Sequence, residues 1–316
     1  MFNYSEVTIE SLRKDLDNTI AECKEIIEGI KGSSEIKLNY FNVMESMIYD
    51  LSGRIAFLGD VHPDEKIRDF GNEADSKIQN FALEIFNDSN LYEKYKDIDI
   101  LNIDEEDLSF HKDLGLDFKD AGHELSVEKK ERLIEIEKKL IELGISFSEN
   151  IAKDKTELMF LEEELKGLSQ NELQNLRKEG SNFVITMAYP DINAVSENCS
   201  VRKTREVVWK AFNNRSVKEN SPILEEAVVL RNEKAKLFGF NTWSEYRLQN
   251  RMAKGPSNVS SMYEELIPKL QKAAGKEKAE LVIDNIKIDD IAPWDIRYFV
   301  SAERAKVSNV ENSELK

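Results

Sequence analysis

The sequence predicts a mainly α fold with at most one or two short strands. Two observations carry that expectation. Apolar residues recur at steps of three and four through most of the 316 residues, a spacing that places them on one face of a helix. Helix breakers are scarce, with 13 glycines and 6 prolines, while 33% of residues are charged. That balance favours long helices over a turn-rich β fold. An apolar content of 41% suffices for a buried core.

Each element follows in turn. Over residues 5–30, Ile9, Leu12, Leu16, Ile20, Cys23 and Ile27 form one stripe, and Gly29, Gly32, Ser33 and Ser34 end it. A second helix is expected from about Ile36 to Leu58, stopping at Gly59 and Asp60. A third follows Pro63 and runs to about Tyr92, with Ile67, Phe70, Ala74, Ile78, Phe81, Ile85 and Phe86 inward. Gly71 weakens it slightly. Residues 97–122 are acidic and less regular. Residues 124–165 hold the clearest periodicity, through Leu133, Ile136, Leu140, Leu143, Phe147 and Ile151. A helical hairpin fits the stretch after it.

Phe183 to Met187 is the best strand candidate, because it is short, β-branched and bounded by Gly180 and Pro190. Ser221-Pro222 reads as a helix start, with Leu224, Val228, Arg231, Ala235 and Phe238 as the stripe and Gly239 as the stop. Thr242 and Glu245 have capping-box spacing, for a helix ending at Gly255-Pro256. Ser257 opens a helix to about Val282, kinked at Pro268. Asp295, after Pro293-Trp294, caps the last helix. A soft boundary lies at residues 180–198.

Charge narrows the function. Lys and Arg number 44, Asp and Glu 61, for a net charge of −17. This argues against nucleic-acid or anionic-membrane surfaces, which need clustered cations. No apolar run approaches the ~18 residues of a membrane span, and the N-terminus lacks the apolar core of a signal peptide. Two cysteines are too few for a disulfide framework, so a reducing cytoplasmic location is expected.

Few residues offer catalytic chemistry. His123-Glu124 begins like H-E-x-x-H, but the fifth position is Val127, and one imidazole cannot hold a zinc ion. His62 and His111 have no partner at helical spacing either. Cys23 and Cys199 read as small buried hydrophobes. The acidic runs 104–107 and 162–164 read as solvated surface. Trp209, Trp243 and Trp294 read as core anchors. Arg231 reads as a buried ion-pair partner and Met252 as core packing. Phosphate loops and nucleophile elbows are missing from the pattern.

Four segments, in order, resemble a known family. They are residues 205–212 (REVVWKAF) with Asn214-Arg215 behind, residues 230–240 (LRNEKAKLFGF), residues 243–254 with Tyr246-Arg247-Leu248-Gln249 and Met252-Ala253-Lys254, and residues 293–299 (PWDIRYF). Residues 147–150 and 165–168 support them upstream. The pattern resembles the thimet oligopeptidase, neurolysin and oligopeptidase A family of zinc metallopeptidases, nearest the dipeptidyl carboxypeptidase branch. The resemblance is strong over about residues 140–300.

That resemblance implies a two-lobed helical fold whose deep channel admits short peptides. It implies zinc held by H-E-x-x-H and a downstream Glu, with the motif Glu as general base and further His and Tyr residues stabilising the oxyanion. All of these belong C-terminal to Pro293-Trp294-Asp295, and no residue of this chain matches one. No catalytic or metal position is carried over, and substrate-binding positions are unknown. The expected domains are 1–180, an N-terminal helical lobe, and 198–316, the start of the catalytic domain before its zinc motif. The expected function is the N-terminal portion of a zinc-dependent oligopeptidase that hydrolyses short peptides, with dipeptide release from the C-terminus as the mode of that branch. The remaining catalytic portion of the same polypeptide is then its partner, and the chain alone is expected to be inactive. The alternative is a complete helical pseudoenzyme or scaffold that binds peptides or a partner without catalysis.

Overall fold

A computed structural model of the chain describes residues 4, 6–101, 103–280 and 290–308, with side chains unassigned at 280 and 306–308. It is 75% helical, as the periodicity predicts. Contacts divide it into two compact units. The first comprises residues 1–152 and 221–247, the second residues 153–220 and 248–316.

In the first unit, α1 (Ile9–Gly32) begins at a capping box between Thr8 and Ser11. Helix α2 (Leu38–Leu51) runs into a π-helical turn, Ser52–Ala56, and a last turn, α3 (Leu58–Val61). The expected single helix to Leu58 is thus loosened midway. Helix α4 (Glu65–Asn87) crosses that segment closely. A Cβ on Gly71 would stand 2.4 Å from the Gly59 nitrogen, so the glycine that lowers helix propensity is what permits the crossing. The expected helix to Tyr92 is broken at Asp88, whose extended backbone and carboxylate cap α5 (Ser89–Lys96).

Residues 97–122 are more ordered than their composition suggests. They contain α6 (Glu105–Asp120), with Asp104 capping the Asp107 N–H at 2.8 Å. The acidic run is therefore a helix start, where negative charge complements the dipole. The long α7 (Val127–Ala152) buries Leu133, Ile136 and Leu143. Against α7 packs α11 (Val217–Leu237), in a cluster with Ala227 and Leu230.

Two expectations for α11 fail. Its start is a turn before Ser221-Pro222, after Ser216 adopts φ 52°. Its buried face is shifted by one position over the first part of the helix: Leu224 and Val228 are exposed while Ala227, Leu230 and Lys234 are buried, and Ala235 is buried as expected. The stop is as expected. Gly239 has φ 85°, and the Gly239 and Phe240 N–H groups bond back to Lys236 and Ala235 in a Schellman arrangement. Helix α12 (Trp243–Leu248) has the expected box between Thr242 and Glu245, though it ends well before Gly255.

The second unit holds a three-stranded antiparallel sheet in the order β1 (Glu157–Phe160), β3 (Asn182–Thr186), β2 (Arg177–Glu179). Central β3 is the expected strand. Its edges are only four and three residues long, too short for a period of two to stand out, so one strand more than expected forms where helices were read. Between β1 and β2 lie a 3-10 turn, Glu162–Leu165, and α8 (Gln170–Asn175), capped by a box between Ser169 and Glu172. The core joins Phe183 and Ile185 to Ile192 and Val195 of α9 (Tyr189–Asn198) and Val208 of α10 (Arg202–Asn213). Helix α13 (Pro256–Glu280) contains Pro268 without ending there. The expected helix end at Val282 lies outside the described residues. Helix α14 (Pro293–Ser308) packs on α9 and α10.

Candidate functional site

The histidines are committed to other partners or positions. His123 Nε2 lies 2.7 Å from the Phe86 carbonyl, and its Nδ1 lies 3.2 Å from Lys130 Nζ. A carbonyl only accepts and an ammonium only donates, so the ring is the neutral Nε2–H tautomer. Burial, together with the Lys130 charge, lowers its pKa against the pull of the Phe86 carbonyl. His62 Nδ1 accepts the Asp64 N–H. His111 stacks on Tyr95, and burial lowers its pKa. Among the described residues, no group of three or more His, Cys, Asp or Glu side chains could hold a metal ion. The described residues therefore do not fit the zinc site that the resemblance implies.

Cys23 and Cys199 are buried free thiols with pKa values raised by burial. Trp209 and Trp294 meet edge to face, and Trp243 leans on Tyr246. Two readings are corrected. Arg231 is exposed, because the rotation of α11 turns Lys234 inward instead. Met252 is 99% exposed rather than core, because α12 ends before it.

Asp295 does not open the last helix as expected: α14 starts at Pro293, and Asp295 lies in its first turn. It is 0% exposed and accepts the Ala292 N–H at 3.0 Å, Arg202 at 2.8 Å and Arg205 at 2.8 Å. Arg205 is itself buried and donates to the Cys199 carbonyl. Burial pushes the Asp295 pKa up, yet these hydrogen bonds hold it below the usual carboxylate range. With every acceptor engaged, the cluster anchors α14 to α10 and is a structural device.

The candidate site is a cleft within the first unit. Its main cavity has a volume of about 890 Å³, and it adjoins a second of about 520 Å³, with Tyr49, Ser52, Gln79 and Ile141 lining both. Helices α4 and α7 supply an apolar floor that includes Ile78, Phe86 and Leu133. Carboxylates descend into it from three helices: Glu45 from α2, Asp117 and Asp120 from α6, and Glu137 from α7. Burial, with the charges of Asp117 and Asp113, raises the Glu45 pKa to about 7. Asp117 sits at the exposed rim of the cleft, where partial desolvation and the charges of Asp120 and Asp113 raise its pKa to about 6. Glu45 Oε1 and Asn87 Oδ1 are buried without a hydrogen-bond partner. Lys234 answers Glu137 in an ion pair. Nearby, burial and a hydrogen bond to Asp120 raise the pKa of Tyr246. Perturbed acids in a concave apolar pocket are a recognised sign of a functional site.

Sequence reasoning missed Glu45, Asp117 and Lys234. Each sits on an ordinary amphipathic helix, and nothing local separates these carboxylates from the other acids. The one usable signal was Lys234 itself, a cation on the α7-facing stripe once that stripe is set correctly.

Comparison with known proteins bears on the whole chain. Residues 195–316 match the model of Peptidase family M3. The chain is 34% identical over 260 residues to a thimet-like oligopeptidase of Dictyostelium discoideum, covering 78% of this chain and 38% of that protein. It is 23% identical over 342 residues to oligopeptidase A of Salmonella typhimurium, covering 99% of this chain and 50% of that protein. It is 26% identical over 299 residues to saccharolysin of Saccharomyces cerevisiae, covering 87% and 42%. The chain thus spans about half or less of the length of these relatives. The comparisons support the peptidase family read from the four segments.

Proposed function

We propose, from the support for peptidase family M3, that this chain is the N-terminal portion of a zinc-dependent metallo-oligopeptidase acting on short peptides. The observation that carries this is the alignment with oligopeptidases, over 78% of the chain at 34% identity in one and over 99% of it at 23% identity in another. The expected domain division at 1–180 and 198–316 and the dipeptide-releasing mode are proposed with it. So is a cytoplasmic location: among the described residues, no helix is long and apolar enough to cross a membrane.

Exposed apolar surface also supports the reading. Met262, Tyr263, Leu266, Ile267 and Leu270 form an exposed stripe at helical spacing along α13. Leu224, Val228 and Val229 are exposed on α11. Apolar stripes of this kind are normally covered by another element, here the remaining part of the parent peptidase.

Two measurements test the proposal. Hydrolysis of a quenched fluorescent peptide is expected to be absent with the purified 316-residue chain, and chelator-sensitive hydrolysis by it would overturn the inactivity. Sequencing the source DNA past codon 316 is expected to reveal an in-frame H-E-x-x-H. An immediate stop codon would instead leave the non-catalytic scaffold as the better reading.

A further inference from the structure

We propose that the cleft of the first unit is a binding site for a cationic, apolar peptide segment, seating a Lys or Arg side chain among its carboxylates and apolar neighbours on its floor. The proposal concerns binding within the first unit and does not depend on the peptidase reading.

Three observations define the occupant. The first is charge. The main cavity is lined by Glu45, Asp50, Asp117, Asp120 and Glu137 against Lys234, and the adjoining cavity adds Asp60 and Asp75. Lys234 is already engaged by Glu137, which leaves the other carboxylates uncompensated. An anion would be repelled, whereas a cation is drawn in and concentrated by a low-dielectric cleft.

The second is hydrogen-bonding capacity. The buried atoms without a partner, Glu45 Oε1 and Asn87 Oδ1, are both acceptors. A ligand that completes them must donate. Ammonium and guanidinium groups are donors without an acceptor, so they fit this vacancy and a carboxylate does not.

The third is the floor. Ile78, Ala82, Leu83 and Phe86 of α4 face the cavity with Leu133 and Ile141 of α7. A small hydrated cation leaves that surface wet. The aliphatic stem of Lys or Arg covers it while the charged head reaches the acids, and neighbouring apolar residues extend the contact into the second cavity. No group of described side chains is clustered tightly enough for a metal ion, which also favours an organic cation.

The proposal fixes a pH dependence. The charges of Asp117 and Asp113 from α6 act on Glu45, and Asp50 on its own helix, Asp120 from α6, Glu137 from α7 and Lys234 from α11 line the same cavity. The most perturbed, Glu45 at about 7 and Asp117 at about 6, are protonated in mild acid. Binding of a cation should therefore be weak below those values, strengthen as pH rises through them, and level off above.

The test uses the full 316-residue chain and a labelled short peptide alternating Arg and Leu, read by fluorescence anisotropy. Neutral Ser/Leu and acidic Glu/Leu peptides are the comparisons. The double variant Glu45→Gln, Asp117→Asn keeps shape and removes the two charges. The variant Glu162→Gln, Glu163→Gln removes two charges from the second unit. We expect the Arg/Leu peptide to bind in preference to both comparisons, and roughly tenfold more weakly to the cleft variant. The second-unit variant should bind like the parent, which separates a site from the general pull of an acidic protein. Equal loss in both variants, no loss in the cleft variant, or equal binding of the neutral peptide would overturn the proposal. Thermal melting of the cleft variant checks its fold independently.

Discussion

Asp295 and Glu45 are both carboxylates drawn out of water, and they end in opposite electrostatic states. Asp295, in the second unit, meets two arginines and a backbone N–H, and its pKa falls. Glu45, in the first unit, faces other acids and keeps one oxygen without a partner, and its pKa climbs to about 7. Burial acts the same way on both, disfavouring the charge. What separates them is whether the fold supplies donors. The second unit spends two arginines to fix α14 on α10. The first unit leaves acceptors open in a cavity, which is costly for stability and useful for binding.

The largest expected effect breaks the satisfied side of this contrast. Asp295→Asn leaves Arg205, whose side chain is 2% exposed, without its counter-charge. Removing one member of a buried pair costs about 3–5 kcal/mol, so the second unit should unfold at markedly lower urea concentration. The same two helices carry the Trp209–Trp294 pair, so tryptophan fluorescence reports the loss directly. A change under about 1 kcal/mol would show that the anchor is redundant.

Glu45→Gln sharpens the other side. A carboxyl whose folded pKa is raised binds more protons folded than unfolded, so its charge destabilises the fold as pH rises from the unfolded value through about 7. The amide removes that penalty. The variant should match the parent near pH 4 and be more stable by about 1–2 kcal/mol near pH 8. For Asp295 the sign reverses: its folded pKa is depressed, so its contribution is present above the unfolded value and is lost as pH falls through the folded one. Melting curves against pH for each variant and the parent check both slopes. A Glu45→Gln effect that is uniform in pH would contradict the electrostatic account.

How much of this is legible in the sequence depends on the range of the interaction. Helix α7 is legible because its apolar residues repeat on one face. Gly239 and the Thr242–Glu245 box are legible because caps are local chemistry. Helix α11 is a harder case. Ile223, Leu224, Ala227, Val228, Val229 and Leu230 surround it with apolar side chains, so period alone cannot choose the buried face, and the stripe is one position off through Arg231 and correct again at Ala235. Strands β1 and β2 are too short to carry a pattern. The site was least legible. Arg205 meets Asp295 across 90 positions, and Glu45 meets Asp117 only because α2 and α6 line one cleft. With 61 acids in the chain, no spacing rule selects those two.

The smallest effect tests that corrected face. If α11 presents Lys234 to Glu137 and turns Arg231 outward, Arg231→Ala removes an exposed side chain and should change stability by less than ~0.5 kcal/mol. Lys234→Met should do more, because it leaves Glu137 beside the other cleft carboxylates without its cation, and the deficit should shrink in acid as those groups protonate. Urea unfolding of both variants near pH 8 and pH 5 gives the comparison. Were Arg231→Ala the more damaging change, the helix would be seated on the stripe of Leu224, Val228 and Arg231 after all. The cleft would then lose its compensating lysine, and Glu137 would join the carboxylates left open to a bound cation.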